Sequence, residues 1–176
     1  VHATLRAIEG VPSLRSEALW SAIREAIGRS TRDGFRVVHF SVQSDHIHAI
    51  IEADSHTARR RGLWGLAVRT AKAVNRRARR RGRVWSHRYH TRALETPREV
   101  RRAIAYVLLN FCKHLRARPG IDPRSSAPWF DGWAQPPPTP KDPSPVSRSR
   151  TWLGAIGWRR AGGRLAFHEA PRTQLD

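Results

Sequence analysis

Methionine is absent from the 176 residues, and cysteine occurs once, as Cys112. A single thiol excludes an internal disulfide framework and a zinc site built from several cysteines. With no methionine and Val1 in front, the true N-terminus is expected to have been removed, and no signal peptide is visible. No apolar run approaches the roughly 20 residues of a membrane-spanning helix, so no membrane partner is expected. Lysine is confined to Lys72, Lys113 and Lys141, and tyrosine to Tyr89 and Tyr106. Between Asp54 and Glu95 there is no acidic residue. A GxxxxGK[ST] phosphate loop is also missing, which excludes a nucleoside-triphosphate site of that type.

What is present is strongly cationic. Lys+Arg number 33 against 14 Asp+Glu, a formal net charge of +19. Nearly all of it is arginine, whose planar fork matches pairs of phosphate oxygens. A charge of this size calls for an anionic partner, and nucleic acid is the first candidate. The acid-free window concentrates Arg59, Arg60, Arg61, Arg69, Lys72, Arg76, Arg77, Arg79, Arg80, Arg81, Arg83, Arg88 and Arg92. Each phosphate neutralised there releases condensed counterions, so binding is expected to fall steeply with salt. Trp64 and Trp85 share the window and can stack on unpaired bases. The plainer reading of the same residues is a solvated helix face with core tryptophans, and a nuclear-targeting role for Arg79-Arg80-Arg81 is weaker still.

Hydrophobic residues make up 39% of the chain, enough for a buried core. Residues 1–8 read as a strand. A helical pattern opens at Pro12-Ser13, carries Leu14, Trp20, Ile23 and Ile27, and stops at Gly34. Phe35–Val42 and His46–Glu52 read as strands of a hairpin turning at Gln43-Ser44-Asp45. Thr57–Arg81 reads as a long helix, weakened by Gly62 and Gly65 and ended by Gly82. Val84–Leu94 reads as a polar fourth strand. Thr96-Pro97-Arg98-Glu99 is a capping box opening a helix that runs to about Arg116. The order predicts an α+β fold, a ferredoxin-like βαββαβ core with a further helix carrying Tyr106. Nine of the twelve prolines fall between Pro119 and Pro145. The expected organisation is therefore a folded domain over 1–118, a Pro/Ser-rich linker over 119–150 and a basic aromatic tail over 151–176, with a small hairpin at Gly162-Gly163.

Two groups of residues can carry chemistry. His46 and His48 stand at i and i+2 on a strand, on one face and about 6.6 Å apart at the backbone, close enough to converge on one metal ion. Two ordinary strand histidines have the same spacing. In the last helix, Val100, Ala103, Ile104, Val107, Leu108, Phe111 and Leu115 form an apolar stripe. Tyr106, Asn110 and Lys113 lie on its flank, and Tyr106 and Asn110 are neighbours at i and i+4. Asn offers a neutral oxygen suited to sit beside two imidazoles, and a Tyr hydroxyl is a nucleophile once a cation or base offsets its pKa of about 10. Without a partner of either kind, Tyr106 is a tyrosine at the core edge and Asn110 a surface amide.

Two runs carry a resemblance. Ser44-Asp45-His46-Ile47-His48-Ala49-Ile50-Ile51 resembles the HUH motif (histidine, hydrophobic residue, histidine) of single-tyrosine DNA transposases. Ala105-Tyr106-Val107-Leu108-Leu109-Asn110 resembles the nucleophile helix of REP-associated tyrosine transposases, and Trp85–Leu94 is similar to the strand that precedes it. The resemblance covers about residues 1–116. It departs at Phe111, where the family often has proline. It implies that Tyr106 is the nucleophile, that His46, His48 and Asn110 hold a divalent metal, Mg or Mn, and that single-stranded or hairpin DNA is the substrate. Arg59, Arg60, Arg61, Arg69, Lys72, Arg76, Arg77, Arg79, Arg80, Arg83, Arg88 and Lys113 are the expected DNA contacts. A monomer or homodimer associated with the bacterial nucleoid in the cytoplasm is the implied setting.

Two other readings compete. A non-catalytic hairpin DNA- or RNA-binding module needs only the arginine window and its tryptophans. A metal-dependent nuclease using water would not need Tyr106, but such sites bind metal mainly through carboxylates, which do not cluster here.

Overall fold

The chain is described by a computed structural model over residues 1–114, 120–138 and 140–169, without the side chains of 112–114. The elements are β1 (His2–Arg6), α1 (Glu17–Gly28), β2 (Phe35–Val42), β3 (His46–Ala53), α2 (His56–Arg77), β4 (His90–Arg92), α3 (Pro97–His114) and the short α4 (Trp152–Ala155). The strands form one antiparallel sheet in the order β2-β3-β1-β4.

Strand alternation divides the residues between two faces. Ala3 and Leu5 of β1 and Ile47, Ala49 and Ile51 of β3 bury against Ile23 and Ile27 of α1 and Leu63, Leu66 and Val74 of α2. Ile50, on the opposite face, joins Ile104, Val107 and Leu108 of α3. In β2 a bulge between Val37 and His39 shifts the alternation by one residue. Phe35 and Val37 before it, and Phe40 and Val42 after it, therefore all reach the first cluster. Gly62 is required where α2 crosses β2: a Cβ there would stand 2.0 Å from the Phe35 ring.

The start of α3 follows its sequence. The Glu99 N–H donates to Thr96 Oγ1 at 3.2 Å, and Glu99 Oε2 accepts from the Thr96 N–H at 3.0 Å, closing the capping box. Its expected end near Arg116 lies outside the described residues.

Two elements are shorter than the sequence suggests. Helix α2 stops at Arg77, not Arg81. The Arg80 N–H donates to Asn75 O and the Arg79 N–H to Arg76 O, with Arg79 in the left-handed region at φ 49. This Schellman closure places arginine where glycine is the usual occupant, so Gly82 comes too late to be the stop. The fourth strand holds only His90–Arg92 instead of Val84–Leu94. Trp85 bridges Ala7 in isolation, and its indole donates to Ala67 O at 2.8 Å, which commits the ring to the core before the strand begins.

The proline-rich segment was expected to be a linker with a loosely held tail. Its described residues instead cover α3 and the free edge of β2. Asp122 accepts both guanidinium arms of Arg15 at 2.9 and 2.8 Å. Trp133 and Trp158 are fully buried with Phe130 and Leu165 against α3. The Glu52 carboxylate accepts from the Arg150 N–H at 2.8 Å, the Thr151 hydroxyl at 2.6 Å and the Ser149 hydroxyl. Proline stops helices and sheets, but it also reduces the entropy lost on fixing an extended segment, so such a segment docks readily. The expected hairpin at Gly162-Gly163 is absent: α4, a 3-10 turn over Gly157–Ala161 and a parallel bridge from Trp133 to Leu165 occupy the region. Residues 170–176 of the expected tail lie outside the described residues.

Candidate active site

The α3-facing side of β1 and β3 is polar at its centre. In register, Thr4 lies opposite His48 and Arg6 opposite His46, with His2 one step along. His48 Nδ1 stands 3.2 Å from His2 Nε2 and 3.1 Å from Thr4 Oγ1. His46 Nδ1 stands 2.7 Å from Asp45 Oδ1, and the His46 and His48 rings are 4.6 Å apart. Both imidazoles are thus oriented through Nδ1, the arrangement that directs Nε2 toward a ligand.

Helix α3 brings the phenol to this cluster. The Tyr106 ring meets His48 edge-on at 5.0 Å and His2 at 5.9 Å. One turn on, Asn110 is completely buried, and neither its Oδ1 nor its Nδ2 has a hydrogen-bond partner among the described residues. A buried primary amide with no described partner at either end is an arrangement that a bound ligand would satisfy.

Burial pushes the His2 pKa down to about 4, helped by the nearby charge of Arg92. His2 is therefore neutral at physiological pH and adds no charge beside His48. Burial acts to raise the Asp45 carboxyl, but the hydrogen bond to His46 and the charges of His46 and Arg6 outweigh it and hold the group below its usual value. Asp45 stays ionised and steadies the His46 ring.

Among the described residues no three His, Cys, Asp or Glu side chains gather closely enough to hold a metal. A divalent ion at this place would need a donor of another kind. Two imidazoles and the unbonded Asn110 amide make a mixed nitrogen and oxygen set that fits such an ion.

The structure thus gathers His46, His48 and Tyr106, with Asn110 on the same helix face. It does not bring the arginine window to them. Arg60, Arg61, Lys72, Arg76 and Arg77 are exposed on α2, which covers the opposite face of the sheet, and Arg59 and Arg69 on the same helix are partly buried. Arg80 and Arg83 brace the end of that helix by donating to Asn75 Oδ1 and Trp85 O. Arg79 and Arg88 are exposed in the connection that follows, and the Lys113 side chain lies outside the described residues. Sequence reasoning missed His2 and Thr4 on β1; their cross-strand partners on β4 are Arg92, which belongs to the arginine window, and His90. His2 and Thr4 have the same i, i+2 spacing as His46 and His48, a signal available once the two strands are paired.

A family model described as transposase IS200-like matches residues 11–108, a span that contains His46, His48 and Tyr106 and ends two residues before Asn110. No curated protein and no solved structure matches the chain.

Proposed function

The chain belongs to the IS200-like transposase family, whose members cleave and join single-stranded DNA, and from that premise we propose a covalent mechanism at Tyr106 of the REP-associated tyrosine type. His46, His48 and Asn110 would hold a divalent ion, Mg or Mn, which when bound would supply Lewis-acid polarisation of the scissile phosphate. The Tyr106 oxygen attacks phosphorus. A bond forms from phosphorus to the phenol oxygen, and the bond from phosphorus to the 3′ oxygen breaks. The phenol gives up its proton as it attacks, the 3′ oxygen takes up a proton and leaves as a hydroxyl, and the 5′ phosphate stays on Tyr106. In the joining step a 3′ hydroxyl attacks the phosphotyrosine, its proton returns to the phenolate, and a phosphodiester is restored. Each bond broken is replaced by one of the same kind, so no triphosphate is consumed.

The observation that carries this reading is the contact of Tyr106 with His48 at 5.0 Å, with His46 4.6 Å further along the strand. Because the contact lies within one chain, it supports a site built in cis, in a monomer or in each half of a homodimer. The ferredoxin-like βαββαβ core supplies the scaffold, with the nucleophile on the helix that follows it. Among the described residues no helix is long and apolar enough to cross a membrane, in keeping with a cytoplasmic enzyme at the nucleoid.

The test is incubation with Mn and hairpin oligonucleotides labelled at either end. A covalent protein–DNA band carrying only the 3′-side label is expected, and Tyr106→Phe is expected to reduce its formation by about 10³-fold or more. Absence of any adduct on single-stranded substrates removes the mechanism. One feature favours a second reading, a non-catalytic nucleic-acid-binding module: Trp64 is 67% exposed on the arginine-rich face of α2. In that case affinity survives Tyr106→Phe and His48→Ala and is lost on neutralising Arg60 and Arg61.

A further inference from the structure

Strand β2 is a sheet edge, and the later part of the chain seals it. The Ser147 N–H donates to Val37 O, Ser126 N–H to Phe40 O and Val42 N–H to Arg124 O, each at 2.9 Å. The seal is interrupted at the bulge between Val37 and Phe40. There a cavity of about 440 Å³ lies between the strand and the later segments, a size typical of small-molecule sites. It shares no lining residue with the histidine–tyrosine cluster.

The lining is built, not accidental. A bulge re-aims side chains, and this one presents His39, which is buried with Nδ1 lacking a hydrogen-bond partner among the described residues. Burial holds the His39 pKa at about 4 against the opposing pull of Asp131 and Glu52, so the ring is neutral and offers one donor and one acceptor. Phe130 meets His39 edge-on at 5.1 Å and, with Trp158, forms an aromatic wall. Exposed Asp131 and Arg148 bring one carboxylate and one guanidinium to the lining. Flat apolar walls, a two-way hydrogen-bonding edge and a cation together suit a heteroaromatic ring attached to a phosphate.

We propose that this cavity receives one unpaired nucleobase of the DNA strand on which the enzyme acts. The base packs against Phe130 and Trp158, its edge bonds to His39, and Arg148 meets the adjoining phosphate. Asp131 accepts from an exocyclic amine, so adenine, guanine and cytosine are favoured over thymine. The inference rests on the reading of the chain as a single-stranded DNA enzyme and adds a base-selecting subsite to it.

The test uses the full chain and the four deoxynucleoside 5′-monophosphates, read by tryptophan fluorescence. A saturable change is expected with at least one amine-bearing nucleotide and a weaker one with thymidine monophosphate. A mixed-sequence single-stranded oligonucleotide should displace the nucleotide. His39→Phe, which keeps the ring and removes its nitrogens, should weaken binding at least 10-fold, and Ala155→Leu, which fills the cavity, should do the same. The proposal is overturned if no nucleotide gives saturation or if binding is unchanged in both variants. It is also overturned if the oligonucleotide fails to compete, since the cavity then takes free nucleotides and not DNA. Covalent adduct formation separates the two readings. Adduct without nucleotide binding rejects the subsite alone, and nucleotide binding with oligonucleotide competition but no adduct rejects the covalent mechanism alone.

Discussion

The two faces of the sheet are made by the same strands and serve different ends. On one, Ala3, Leu5, Ile47, Ala49 and Ile51 are closed over by α1 and α2 into a dry core. On the other, His2 and His48 meet Tyr106 of α3, with Thr4 and His46 beside His48. Neighbours in sequence are separated by the thickness of the sheet. A strand can thus carry a costly polar cluster because each adjacent residue contributes hydrophobic burial on the far side.

Changes that strike one face at a time test that division. The largest effect on stability is expected from Ile51→Ala on the dry face, where a fully buried side chain is truncated. A loss of about 2–5 kcal/mol in urea unfolding is expected, with adduct formation unchanged per folded molecule. On the polar face, His2→Ala removes a group that orients His48. Mn affinity measured by titration calorimetry should fall about 10–100-fold, with a smaller change in unfolding than Ile51→Ala. If both variants lose stability and metal affinity together, the two faces are not separable.

Glu52, at the end of β3, extends the comparison to the later segments. Its burial acts to raise its pKa, but hydrogen bonds from Ser149 and Thr151 outweigh this and hold it low. A carboxylate depressed in the folded state adds stability that is complete above its ordinary value of 4.5 and is lost as the pH falls through the folded value. Wild type should therefore lose more stability than Glu52→Gln between pH 7 and pH 3, as read by denaturant midpoints. The smallest change is expected from Arg79→Gly. It relieves a left-handed backbone at φ 49 and should raise stability by about 1 kcal/mol, seen as a higher thermal midpoint with the polar face untouched.

The hairpin of β2 and β3 and the capping box of α3 were legible because short-range patterns govern them. His46, His48, Tyr106 and Asn110 were legible as residue types at suggestive spacings. His2 and Thr4 were not, because their importance depends on which strand β1 pairs with and in what register. The packed proline-rich segment was also misread. Composition reports that proline builds neither helix nor sheet, whereas Trp133 and Trp158 find their burial only against α3, which is distant in sequence. The arginine window was legible as a concentration of charge, yet the position of its α2 residues across the sheet from the histidines was beyond any local pattern.

The sequence by itself determined the alternation of β3, the cap of α3 and the cationic character of the chain, since each depends on neighbours within a few residues. The tertiary structure alone decided that Tyr106 meets His48, that His2 and Thr4 orient it, and that a cavity opens beside His39. Those are contacts across 44 or more residues in the first two cases and across most of the later chain in the third. They depend on strand order, register and one bulge, which cooperative packing of the whole chain selects.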